Sequence, residues 1–374
     1  MDVASLTPRL LLGPGPSPVS DRILRAMSRP TLGHLDPQFL AILDEVNEGL
    51  RELFGTRNRT TFPVSGTGSA GMEAALVNLL EPGDKAIVGV KGVFGTRLAE
   101  MSRRMGAEVI TVEGEWGRPL DPDLLVATHR EHPDARLLAL VHAETSTGVR
   151  QPLDRVGAHL QESGTLFVVD AVTSLAGIPI EVDAVGIDVC YAGTQKCLGV
   201  PPGLAPITFS PRAVERVRSR TVPVASWYLD ITLIAGYLGS ERRYHHTAPI
   251  NLVYALHEAL REVREERLEA RFRRHAEIGA RLQAALAERG FRPYAGPENA
   301  RLPQLTAVHL PHDRAEGPLR SALLEEHGIE VGGGLGPAQG KIWRIGLMGD
   351  GARQSSVDRL LGAIDNLLRE EEAA

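Results

Sequence analysis

The sequence predicts an α/β protein built on a wound, mostly parallel sheet, followed by a smaller α+β unit. Two observations carry this expectation. Between residues 60 and 210, short apolar runs alternate with Gly-containing turns and with amphipathic stretches long enough for crossover helices. After residue 267 a second, separate set of strand-like and helical segments begins.

Taken in order, Gly13-Pro14-Gly15-Pro16-Ser17-Pro18 cannot be helix, because its prolines lack amide hydrogens. Residues 1–20 therefore read as an extended arm that needs a surface to lie on, and a partner subunit is one candidate. The apolar runs stand at Lys85 to Val90, Glu108 to Val112, Arg136 to Val141, Thr165 to Asp170 and Ala205 to Phe209. Runs without polar alternation fit strands covered on both faces. Ligands of such sheets sit in the loops at the carboxyl ends of the strands. Leu256, Ala259, Leu260 and Val263 mark one face of a helix, and the charge run Arg261 to Arg274 reads as a solvated face laced with ion pairs. The large domain is expected over residues 21–266 and a small C-terminal domain over 267–374. The latter holds strand-like Leu305 to Leu310 and Ile342 to Ile345, a helix near Leu319 to His327, and a terminal helix striped by Val357, Leu360, Leu361, Ile364, Leu367 and Leu368.

Composition narrows the class of ligand. Forty-one Lys and Arg against forty-seven Asp and Glu leave a net charge of −6, so no global field holds nucleic acid or an anionic membrane. An acidic ligand must be captured by a local site. Two cysteines, Cys190 and Cys197, are too few for a disulfide framework, and the longest early apolar run, Leu10 to Leu12, is far short of a signal-peptide core. A reducing cytoplasm is the expected location.

Three places offer chemistry. Ser65-Gly66-Thr67-Gly68-Ser69-Ala70-Gly71 precedes a run of good helix formers, so turning amides and a helix amino terminus would converge as a phosphate cradle. The same glycines match a dinucleotide fingerprint. That motif needs an acidic residue after the second strand, where this chain has Gly89, Val90 and Lys91, so an NAD-dependent oxidoreductase is only a remote alternative. Asp170 closes an apolar strand and either caps the next helix or faces a cationic ligand atom. Lys196, among apolar residues and glycines, is either an ordinary surface lysine or a desolvated, nucleophilic amine. Cradle, carboxylate and lysine, each after a strand, are the three attachments of pyridoxal 5′-phosphate (PLP). Adjacent His245 and His246 lack further ligands at helical spacing, and no metal is expected.

With these residues in place the chain resembles the class V, fold-type I aminotransferases over nearly its whole length, specifically the alanine:glyoxylate and serine:glyoxylate (serine:pyruvate) branch. The matching stretches include Leu11-Leu-Gly-Pro-Gly-Pro-Ser, Ser65-Gly-Thr-Gly-Ser, His142-Ala-Glu-Thr-Ser-Thr-Gly-Val, Val169-Asp-Ala-Val, Gly193-Thr-Gln-Lys, Tyr244-His-His-Thr and Gly340-Lys-Ile-Trp-Arg-Ile-Gly. The resemblance implies transamination from alanine or serine to glyoxylate or pyruvate through a Lys196 aldimine, with Asp170 on the ring nitrogen. It implies Thr67, Gly68, Ser69 and Gln195 at the phosphate, Phe94 and Val172 at the ring, and Thr145 near the phenolic oxygen and the substrate. Arg344 would grip the substrate carboxylate, with Gly15 and His34 also on the substrate side. Tyr244 and Thr247 would reach the phosphate of the neighbouring subunit, making a homodimer the catalytic unit.

Three positions, Phe94, Ser69 and His34, depart from relatives. Phe94 stands where many alanine:glyoxylate enzymes have tryptophan, and Ser69 where the animal enzymes have histidine. At His34 and Tyr244 the ureidoglycine:glyoxylate enzymes carry glutamine and asparagine, which argues against that branch, the nearer alternative.

Overall fold

A seven-stranded sheet organises the larger part of the chain. In spatial order its strands are Thr60–Ser65, Leu204–Phe209, Val189–Tyr191, Leu166–Asp170, Leu137–Val141, Lys85–Val90 and Glu108–Glu113. Leu204–Phe209 runs antiparallel to both neighbours and all other pairings are parallel. The apolar runs behave as unalternated runs should, since Leu137–Val141 and Leu166–Asp170 are buried at every position. The description comes from a computed structural model and covers residues 2, 5–239, 241–311 and 314–373, with 370–373 as backbone alone. Residues 1, 3, 4, 240, 312, 313 and 374, parts of the expected arm and domains, lie outside the described residues.

A second, antiparallel sheet has the order Arg292–Pro293, Leu305–His309, Ile342–Gly346, Gly332–Gly333. Its own core gathers Leu282, Leu286, Leu323, Trp343, Leu360 and Ile364, the last two from the stripe of the terminal helix Gln354–Ala373. Leu10–Leu11 pairs in parallel with Ile329–Glu330, and Leu12 packs into this second core. The chain then crosses to the large sheet, where the Ser17 amide donates to the Gln195 carbonyl and Ser17 Oγ to the Lys196 carbonyl. The amino-terminal segment thus ties both sheets together over the lysine loop.

The charge run departs from a solvated face at one residue. Helix Ile250–Glu266 ends at Arg267, and helix Leu268–Glu288 follows. Arg271 on the second helix is buried, donating to Glu266 and to the carbonyls of Ala176 and Cys197. Its guanidinium satisfies loop carbonyls that sheet formation leaves unpaired, a role charge patterning does not disclose.

Candidate active site

The carboxyl ends of the parallel strands, which include Thr60–Ser65 by way of its antiparallel neighbour, deliver the polar residues to one edge of the sheet. Thr67 caps helix Gly68–Leu79 from an extended conformation but makes no side-chain cap bond. The first amides of that helix have no intrahelical partner and carry the positive end of its dipole. A Cβ at Gly68 would lie 2.8 Å from Val172 Cγ2, so glycine is what lets the helix start approach the loop after Asp170. Ser69 Oγ accepts from Arg97 Nη1 at 3.1 Å.

Asp170 is buried, accepting from the Val172 amide at 2.9 Å and from the Tyr191 hydroxyl at 3.0 Å. Burial pushes its carboxyl up to about 6 against those two bonds. A carboxylate has about four lone-pair sites, so one cationic donor can still be accommodated. Lys196 is 8% exposed, and its Nζ donates to the Pro14 carbonyl. Burial first, then the nearby charge of Arg344, lower it to about 8. A Cβ on Gly15, which has φ +110°, would sit 2.6 Å from Lys196 Nζ. The segment therefore lies directly across the amine.

Arg344 comes from the second sheet. Its Nε donates to the Gly333 carbonyl at 2.7 Å and its Nη1 to the Thr145 carbonyl at 3.3 Å. Glu144 acts on it only as a more distant charge, and burial lowers it to about 10. Thr145 Oγ1 in turn lies 2.6 Å from Thr173 Oγ1, and the Gln195 Oε1 beside Gly193 is buried without a hydrogen-bond partner. These residues match PLP: a helix start whose first amides point outward for the phosphate, an unfilled buried carboxylate for the ring nitrogen, and an amine without a counter-charge for the aldehyde.

Sequence reasoning missed four contributors. Tyr191 faces Asp170 because the two are register partners across parallel strands. Lys91 is fully enclosed, donates to the Val141 carbonyl at 2.6 Å, and is lowered to about 8 by burial against the opposing charges of Glu144 and Asp170. Glu144 itself accepts from the Ser146 amide and hydroxyl and from the Gly95 amide. Pro14 acts through its carbonyl. A polar residue immediately after a strand-like run was the available signal, and Lys91 carries it.

The structure does not bring every expected residue to this cluster. Tyr244 is 61% exposed and Thr247 is also exposed, whereas His246 Nε2 reaches Ser65 Oγ at 2.9 Å. His34 packs its ring 5.0 Å from that of Tyr244. Trp227 and Tyr228 are exposed close by, Trp227 stacking on His245 at 4.3 Å. His245 and His246 set their rings perpendicular, with the two Nδ1 atoms 2.8 Å apart.

Comparison with known proteins places these features in a group. The family model described as "Aminotransferase class-V" matches residues 20–355. The chain is similar to the crystal structure of an alanine-glyoxylate aminotransferase from Nostoc sp., with 48% identity, a TM-score of 0.96, and coverage of 98% of this chain and 97% of that one. It is 41% identical to the alanine-glyoxylate aminotransferase of Rattus norvegicus, over 98% of this chain and 89% of the relative. It is also 38% identical to the (S)-ureidoglycine-glyoxylate transaminase of Bacillus subtilis, over 96% and 90%.

Proposed function

The chain belongs to the class-V aminotransferases, PLP-dependent enzymes of fold type I that carry out transamination, and we propose that it moves an amino group from alanine or serine to glyoxylate or pyruvate. The observation that carries the choice of a small donor is the segment across the lysine. The Pro14 carbonyl on Lys196 Nζ and Gly15 packed against the lysine side chain put this segment over the amine, which favours a small donor side chain. Relatives named for glyoxylate support the acceptor.

When bound, PLP supplies an aldehyde that takes up the amino group and a ring that draws electrons from the substrate α-carbon. The chain's own groups do the rest. Lys196 Nζ, lowered to about 8, would be the amine that holds the cofactor and the base that accepts the α-carbon proton. Asp170 would keep the ring nitrogen protonated, and the Tyr191 hydroxyl and Val172 amide hold that carboxylate in place. Thr67, Gly68, Ser69 and the Gln195 amide N–H would hold the phosphate, Phe94 and Val172 would lie at the ring, and Thr145 would serve the phenolic oxygen. Arg344 would take the substrate carboxylate in two parallel hydrogen bonds with Gly15 on the same side, and His34, which packs beside Tyr244, would reach the substrate only together with that residue across the dimer.

The working unit in this reading is a cytoplasmic homodimer with an arm (1–20), a cofactor domain (21–266) and a smaller domain (267–374). Tyr244 and Thr247 would reach the phosphate across the dimer. Exposure of Tyr244, Trp227 and Tyr228 in one region supports that role, because large aromatic side chains concentrate in interfaces.

The test is spectroscopic and then kinetic. Purified protein given PLP should show a band between roughly 390 and 430 nm that alanine bleaches in a single turnover. A kcat/KM panel of alanine, serine and ureidoglycine against glyoxylate should rank ureidoglycine last, and ureidoglycine at the top would replace the donor assignment. A monomer by light scattering would remove the dimer.

A further inference from the structure

Ser69 and Phe94, assigned above to the phosphate and to the cofactor ring, share one neighbour. Arg97 Nη1 donates to Ser69 Oγ at 3.1 Å, and Arg97 Cζ lies 4.9 Å from the centroid of the Phe94 ring, within cation–π range. Phe94 and Arg97 are one turn apart on helix Val93–Arg104, whereas Ser69 is in the first turn of helix Gly68–Leu79. Among the described residues no carboxylate lies within ion-pair distance of Arg97, so its charge is not spent on a structural bridge.

Hydrogen-bond accounting gives this arrangement a direction. A serine hydroxyl has one hydrogen to donate and two lone pairs that accept. A guanidinium is always protonated and can only donate, so Ser69 Oγ must be the acceptor toward Arg97. Its own hydrogen is left to point at another acceptor. The helix it belongs to has no acidic residue in its first turn, so its amino-terminal field adds to the guanidinium charge at the same spot.

We propose that Arg97 is a positioning residue of the cofactor site, fixing Ser69 as a hydrogen-bond donor to the phosphate and holding the Phe94 ring in its stacking plane. The inference deepens the PLP reading above and rests on it. Arg97 acts through its two neighbours.

The experiment is a fluorescence titration of apo-protein with PLP and, separately, with pyridoxal, which lacks the phosphate. Wild type, Arg97→Gln, Arg97→Lys, Ser69→Ala and the Arg97→Gln/Ser69→Ala double variant are compared. Arg97→Gln and Ser69→Ala should each raise the Kd for PLP about tenfold, and the double variant should be little worse than the weaker-binding single one. Pyridoxal affinity should fall less in Arg97→Gln and stay unchanged in Ser69→Ala. A wild-type Kd for PLP in Arg97→Gln, or fully additive losses in the double variant, would overturn the proposal. Should Arg97→Gln fail to fold, Ser69→Ala and Arg97→Lys decide it, Arg97→Lys being expected to bind PLP more weakly than wild type because it loses the planar fork. Wild-type protein that takes up no PLP would sink the functional reading instead.

Discussion

The two edges of the large sheet treat charge in opposite ways. Where the strands begin, charges close on one another: Arg216 meets Glu81 at 2.7 Å and Asp84 at 2.9 Å, and Arg212 meets Asp188 at 2.8 Å. Glu81 also accepts from the Thr221 amide and hydroxyl and from the Val222 amide. Where the strands end, Arg344 and Lys196 donate to main-chain carbonyls, and Asp170 accepts from an amide and a phenol. Burial without a counter-charge drives these three toward their neutral forms. The closed edge stabilises the fold. The open edge gives up stability, and that deficit is what a charged ligand can recover.

The largest test of this contrast is Lys196→Ala. Steady-state kcat should fall by about 10³-fold or more, because the variant loses both the cofactor-holding amine and the proton acceptor. Apo-protein carrying the change should melt no lower than wild-type apo-protein, since the lost ammonium had no counter-charge. A clear drop in the apo melting temperature would put Lys196 on the stabilising side and break the contrast.

Arg344→Lys comes next. The charge remains but the two-pronged fork is lost, and kcat/KM for alanine should fall about 100-fold. Initial rates over a range of alanine concentrations measure this, and an unchanged kcat/KM would mean the guanidinium serves only its two carbonyls.

The same contrast explains how much was legible beforehand. The wound sheet could be read because apolar runs such as Leu137–Val141 are contiguous and carry their own signal. Asp170 and Lys196 could be named because each follows such a run, and Arg344 through the matching stretch Gly340-Lys-Ile-Trp-Arg-Ile-Gly. Tyr191 and Glu144 could not, because their roles depend on which strand ends become neighbours. The Tyr191 hydroxyl reaches Asp170 only through the register of two strands 21 residues apart. The Pro14 carbonyl meets Lys196 across 182 residues, and no local pattern encodes such a distance. Arg271 was misread for a related reason: a charge run looks the same whether a given member faces water or a loop.

Glu81→Gln probes the closed edge. Hydrogen bonds from Thr221, opposed by burial and joined by Arg216, hold the Glu81 carboxyl down at about 2 from an ordinary 4.5. The folded value lies below the unfolded one, so the contribution is complete above about pH 4.5 and is lost as pH falls toward 2. The variant should be less stable by on the order of 2 kcal/mol at pH 7, with the gap to wild type closing through that window. Thermal scans between pH 7 and 3 follow it, and a gap that persists undiminished at pH 3 would show that the carboxylate charge is irrelevant there.

The smallest effect belongs to His129 at the same closed edge. His129 Nδ1 lies 2.9 Å from His159 Nε2, and His129 Nε2 lies 2.9 Å from Thr165 Oγ1, which donates to the Ala135 carbonyl. Because Thr165 already gives its hydrogen away, His129 Nε2 must carry a proton, and with both rings neutral His129 Nδ1 accepts from His159 Nε2–H. Burial lowers both histidines, with the neighbouring His159 adding to the effect on His129 and Arg130 and Arg155 adding to that on His159. Folded values below the unfolded value of about 6.5 make the stabilisation full above that pH and progressively lost below it. His129→Phe should therefore cost about 1 kcal/mol at pH 8, and the difference from wild type should shrink as pH falls from 6.5 to 5.5. A difference that grew on acidification would mean that the pair holds a shared positive charge. The closed edge would then contain an unbalanced cation of the kind found where the strands end, and charge closure would no longer separate the two edges.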